Sequence, residues 1–64
     1  MKAHYNLACL ASLTGDRETA LAQLRWLAAS GLAEAGQKIV KARTDPDMVP
    51  IRDDPEVQAI LAAR

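Results

Sequence analysis

Apolar residues recur near the start of the chain at steps of three and four: Ala3, Leu7, Leu10 and Ala11, with Thr14 completing the run. That interval matches the turn of an α-helix and predicts a first helix with these residues on one inward face. Gly15 supplies the stop, because glycine takes the left-handed conformation that ends a helix without a Cβ penalty. Asp16 follows as a cap for the next helix, and Glu18 suits the positive dipole end of its first turn. Ala20, Leu21, Leu24, Leu27 and Ala28 form a second apolar stripe, and Gly31 closes it. Leu32 is placed for the hydrophobic contact that often follows such a glycine. The short link at Gly15 and Asp16 predicts an antiparallel helical hairpin.

A third, weaker helix is predicted over Glu34 to Arg43, with Ala35, Ile39 and Ala42 on its inner side and Gly36 costing ~1 kcal/mol relative to alanine. The remainder repeats one device at a nine-residue offset: Asp45-Pro46-Asp47-Met48 with Ile51, then Asp54-Pro55-Glu56-Val57 with Ile60. In each copy an aspartate caps a helix start, proline fills the first turn where its missing amide is not needed, and an acid follows. Pro50 cuts the first copy to about one turn. The second is predicted to run from Pro55 to the C-terminus, with Val57, Ile60 and Leu61 facing inward. The expected fold is all-α in a single domain, 1–64, made of a hairpin (3–31) followed by a third helix and a C-terminal capping helix (32–64).

Composition sharpens this picture. Half of the 64 residues are apolar, mostly alanine and leucine, with no phenylalanine, one tyrosine and one tryptophan, a mixture that favours helix over strand. Cys9 has no second cysteine and His4 is the sole histidine, so no disulfide or clustered-histidine metal site is available within one chain. A lone thiol fits a reducing, cytoplasmic setting, and no segment approaches a membrane span. Formal net charge is zero, which removes the basic footprint of a nucleic-acid binder. The charge is nonetheless divided: residues 1–43 carry six Lys or Arg against three acids, and residues 44–64 carry two Arg against five. The two parts are expected to attract each other, within one chain or between chains.

The residues Tyr5-Asn6-Leu7-Ala8-Cys9, with Gly15-Asp16, Ala20-Leu21, Leu24 and Gly31, closely resemble a tetratricopeptide repeat. The segment Thr44-Asp45-Pro46-Asp47-Met48, then Ile51-Arg52-Asp53-Asp54-Pro55, resembles the closing segment after the last repeat of many bacterial repeat proteins, among them cyclases and kinases of signalling. Leu27 departs from the small alanine usual in the second helix, Leu32 stands where proline commonly closes the repeat, and Ala11 is smaller than the usual aromatic. The resemblance implies a non-catalytic scaffold or adaptor that binds a protein or peptide, with no cofactor and no metal. It leaves open the C-terminal repeat of a larger bacterial signalling enzyme. A small nucleic-acid-binding helical protein is a minor alternative, favoured only by the basic excess before Thr44. One repeat leaves a face uncovered, since about three are needed for stability, so a longer array or a homodimer is expected to cover it.

The positions matching the family's ligand-contacting face are Lys2, Tyr5, Asn6, Cys9 and Leu13, with Tyr5 expected to contribute most. They do not reproduce a basic clamp for a peptide carboxylate, which points to a neutral or apolar ligand. Trp26 lies roughly opposite the stripe of Ala20, Leu24 and Leu27, so it either packs under the third helix or the C-terminal segment or anchors an interface. Asp45, Asp47, Asp53, Asp54 and Glu56 form an acidic cluster whose spacing lacks the glycine and terminal glutamate of a calcium loop, and capping accounts for two of them. His4 and Cys9 are five residues apart, which is not a same-face spacing, so they make no nucleophile and base pair. Lys38, Lys41 and Arg43 read as a solvated basic face.

Overall fold

Gly15 and Gly31 adopt φ of 79° and 73°, and these two left-handed residues divide the chain into the helices expected from the sequence. The computed structural model describes residues 2–62. Helix α1 spans Lys2–Thr14, α2 Arg17–Ala29 and α3 Ala33–Ala42; a 3₁₀ segment covers Pro46–Ile51, and α4 covers Pro55–Ala62. The fold is all-α, with no strand among the described residues. Residues 63 and 64, onto which the last helix is predicted to continue, lie outside the described residues, as does Met1.

Each aspartate expected as a cap closes its turn. The Thr19 amide donates to Asp16 at 3.2 Å, the Asp47 amide to Asp45 at 3.0 Å, and the Glu56 amide to Asp54 at 2.9 Å. These bonds satisfy amides that have no partner inside the helix. Pro46 and Pro55 sit at the first turn of their segments, where no amide is missed. The Leu32 amide donates to the Ser30 hydroxyl at 3.3 Å, and its backbone is extended as the chain enters α3, with the side chain half exposed.

The hairpin of α1 and α2 is the foundation of the core. Ala8 and Ala20 are completely buried and Ala11 nearly so, and such small side chains let the two backbones approach. Leu24 and Leu27 from α2, Ile39 from α3, Met48 from the 3₁₀ segment and Val57 from α4 fill the space below. Complete burial of each such side chain is worth ~1.5–3 kcal/mol relative to exposure. Leu61 closes the core and Ile60 packs partly against it.

Helix α1 turns a different face inward from the one its periodicity predicts. Tyr5, Ala8, Cys9, Ala11 and Ser12 are buried, whereas Leu7, Leu10 and Leu13 are 46%, 58% and 57% exposed. Of the predicted stripe only Ala11 lies inside. Two contacts made by distant residues decide this rotation. The Tyr5 hydroxyl donates to the Asp45 carboxylate at 2.6 Å, and the Ser12 hydroxyl donates to the Asp47 carbonyl at 2.6 Å. Both bonds dock α1 on the 3₁₀ segment, and a leucine at either position would make neither.

Charge divides as the sequence implies, and much of the attraction is satisfied within the chain. Arg17 on α2 pairs with Asp54 and, at 3.0 Å, with Glu56; Arg25 reaches the other oxygen of Glu56 at 2.6 Å. These pairs between the two halves clamp α4 onto α2, although exposed ion pairs add little stability individually. Asp54 and Glu56, two members of the acidic cluster, therefore have arginine partners. The Arg17 and amide contacts hold the Asp54 carboxyl below its ordinary range.

Candidate functional site

A groove of about 410 Å³ runs along one side of α1, between it, α3 and the 3₁₀ segment. Lys2, Tyr5, Asn6, Cys9 and Leu13, the five α1 positions singled out from the sequence, all line it. Most of them recur at steps of three and four, so one side of α1 gathers them. Their exposure differs, which separates floor from rim. Tyr5 and Cys9 are buried, at 4% and 9% exposed, while Lys2, Asn6 and Leu13 stand open.

Tyr5, expected to contribute most to binding, forms part of the groove floor. Its hydroxyl is committed to Asp45, and the ammonium groups of Lys38 and Lys41 lie 5.5 and 5.3 Å from the centre of its ring. Such cation–π contacts are worth ~0.5–1 kcal/mol at exposed sites. Burial, then the bond to Asp45, raises the phenol well above its ordinary pKa, so Tyr5 remains a neutral donor. Asp45 responds in the opposite direction. The Tyr5 hydroxyl, then the Asp47 amide, holds its carboxyl below the usual value, so it is ionised at neutral pH.

Cys9 lies beneath these groups. Burial first, then the carboxylates of Asp45 and Asp47, pushes its thiol pKa up. A thiol held protonated is a poor nucleophile, since the thiolate is the reactive form. Sγ of Cys9 and one oxygen each of Asp45 and Asp47 lie within 4.8 Å of one another, which brings three atoms of metal-ligand type together. Both oxygens of Asp45 already accept hydrogen bonds, one from Tyr5 and one from the Asp47 amide. The sequence suggests a metal only among the acids and gives no sign that Cys9 joins them.

The other rim residues are legible in the sequence only as something else. Lys38 and Lys41, one turn apart on α3 and expected on a solvated basic face, form the wall facing α1. Leu10, expected in the core, lines the groove mouth. Asp45 and Asp47 close one end of the groove, and Asp45 caps its turn as expected. The wall is thus apolar at Leu10 and Leu13, amide-bearing at Asn6, and mixed in charge, with three lysines against two aspartates.

Trp26 belongs to another surface. It is 42% exposed, and its ring stacks on His4 of α1, with centroids 3.7 Å apart and planes 12° from parallel. His4 is also engaged at its ring edge by Gln23, whose side-chain oxygen lies 2.6 Å from Nδ1. His4 is accordingly held away from Cys9, on the α2 side of α1. No protein-family model, curated protein or solved structure matches this chain. No helix among the described residues is long and apolar enough to cross a membrane.

Proposed function

We propose that this chain is a non-catalytic protein-interaction module, a tetratricopeptide-like hairpin with its C-terminal cap, that binds an extended peptide segment of a cytoplasmic partner. The observation that carries the reading is the α1 groove, whose open residues Lys2, Asn6 and Leu13 stand over a buried floor of Tyr5 and Cys9. Ligand sites combine apolar walls with a few placed polar groups, and this groove has Leu10 and Leu13 beside the Asn6 amide. The amide both donates and accepts, which suits the main chain of a peptide. Lysines on the rim are offset by Asp45 and Asp47, so a neutral or apolar segment fits better than a strongly acidic one. The protonated Cys9, with His4 engaged by Trp26 and Gln23, favours binding over chemistry.

Selection of a random peptide display library on the immobilised protein tests the proposal. Peptides of low net charge are expected to emerge and to lose binding by ~tenfold or more, equivalent to ~1.4 kcal/mol, on Leu13→Glu. Leu13 is exposed, so the change leaves the core intact. Peptides indifferent to both Leu13→Glu and Asn6→Ala would show that the groove is not the binding surface. Sensitivity to Trp26→Ala in their place would move the site to the His4–Trp26 patch.

A further inference from the structure

The stripe Ala3, Leu7, Leu10 and Thr14, expected inside, faces outward along the whole of α1. It carries no charge: between Lys2 and Asp16 the chain contains no Lys, Arg, Asp or Glu. A solvated helix face ordinarily bears charged residues, and an apolar one marks a contact. The intervals along the stripe, four, three and four residues, read the same in both directions. A two-fold axis between Leu7 and Leu10 therefore sets Leu7 against Leu10 of a second copy and Ala3 against Thr14, with the seven-residue spacing that antiparallel helices use.

We propose that α1 pairs antiparallel with α1 of a second copy of this chain through that face. Two electrostatic features agree with the arrangement. Lys2, at the start of one α1, falls beside the Gly15–Asp16 corner at the end of the other, giving two symmetric contacts of opposite charge. Arg17, the cation nearest that corner, is occupied by Asp54 and Glu56 and so does not oppose Lys2. The positive end of each helix dipole also meets the negative end of its partner. This contact shares Leu10 and Lys2 with the peptide groove and extends beyond it at Ala3, Leu7 and Thr14, which do not line it.

The 13 residues of α1 extend about 20 Å, so a single helix pair buries less than the ~800 Å² per partner of a standard stable interface. The expected dimer is accordingly weak, dissociating in the micromolar range or above. Sedimentation equilibrium across a concentration series reads it directly, with L7E alone, L10K alone and an equimolar mixture of the two. Both side chains are about half exposed, so each variant keeps its core. Either variant alone is expected to dissociate ~tenfold more readily than the parent, a change of ~1.4 kcal/mol. The mixture is expected to recover association, because the introduced carboxylate then faces the introduced ammonium while the second Leu7–Leu10 pair stays intact. That combination arises only when the helices run antiparallel. A parent that stays monomeric at millimolar concentration overturns the proposal and leaves the face to a different partner. Single variants that associate like the parent, or a mixture no tighter than its components, overturn it equally.

Discussion

Replacing Tyr5 by phenylalanine removes one oxygen and leaves the ring, so it isolates the bond that joins α1 to a segment far along the chain. The hydroxyl donates to the Asp45 carboxylate at 2.6 Å. Hydrogen bonds to charged groups contribute ~1.5–3 kcal/mol net. A chain of 64 residues has a total stability of only ~3–10 kcal/mol at ~0.05–0.15 kcal/mol per residue. The loss is therefore a large fraction of the whole, and at ~4–8 °C per kcal/mol a change of ~2 kcal/mol lowers the melting temperature by roughly 8–16 °C. Thermal and urea unfolding followed by far-ultraviolet circular dichroism measure it. The penalty also has a predicted pH dependence. Asp45 is held below its ordinary 3.8, first by Tyr5 and then by the Asp47 amide. A depressed carboxyl pKa gives stabilisation that is present at neutral pH and lost as pH falls through the folded-state value. The difference between Tyr5→Phe and the parent should thus shrink in acid below 3.8. A penalty under ~0.5 kcal/mol at neutral pH would falsify the assignment of Tyr5 as the tie between α1 and the 3₁₀ segment, since surface changes without a partner have that size.

Gly15→Ala should cost ~1–2 kcal/mol, because φ of 79° is strained for any residue with a Cβ although no atom obstructs one there; an equally stable variant in urea unfolding would exclude that strain. Asp54→Ala should lower the melting temperature, and by more than Arg25→Ala, because Asp54 both caps α4 and pairs with Arg17; equal melting temperatures for the two variants would remove the capping role. At high pH the Tyr5 phenol, raised by burial first and by Asp45 second, keeps its stabilisation below its ordinary 10.0 and loses it as pH climbs beyond. Since Tyr5 is the only tyrosine, tyrosinate absorbance and loss of helix should appear together; tyrosinate forming with the helical signal intact would show an accessible, unlinked phenol.

The boundaries of the helices are written locally. Gly15 and Gly31 are needed because glycine takes positive φ without cost, and Asp16, Asp45 and Asp54 cap because a carboxylate two or three residues ahead of a free amide reaches it wherever the rest of the chain goes. The inner face of α2 is equally plain, because Arg17, Gln23 and Arg25 leave Ala20, Leu21, Leu24 and Leu27 as the apolar side. Helix α1 offers no such contrast. Its residues are apolar on nearly every side, so periodicity alone admits two faces, and the larger leucines point to the wrong one. Tertiary structure chooses the other because the close approach to α2 accepts Ala8 and Ala11, and because the hydroxyls of Tyr5 and Ser12 have partners on and beside the 3₁₀ segment. The groove follows from that rotation: it places Tyr5 and Cys9 in the floor, opposes them with Lys38 and Lys41 of α3, and brings Asp45 and Asp47 to its end. Burial depends on which surfaces meet, and those meetings join residues too far apart along the chain for any local pattern to record.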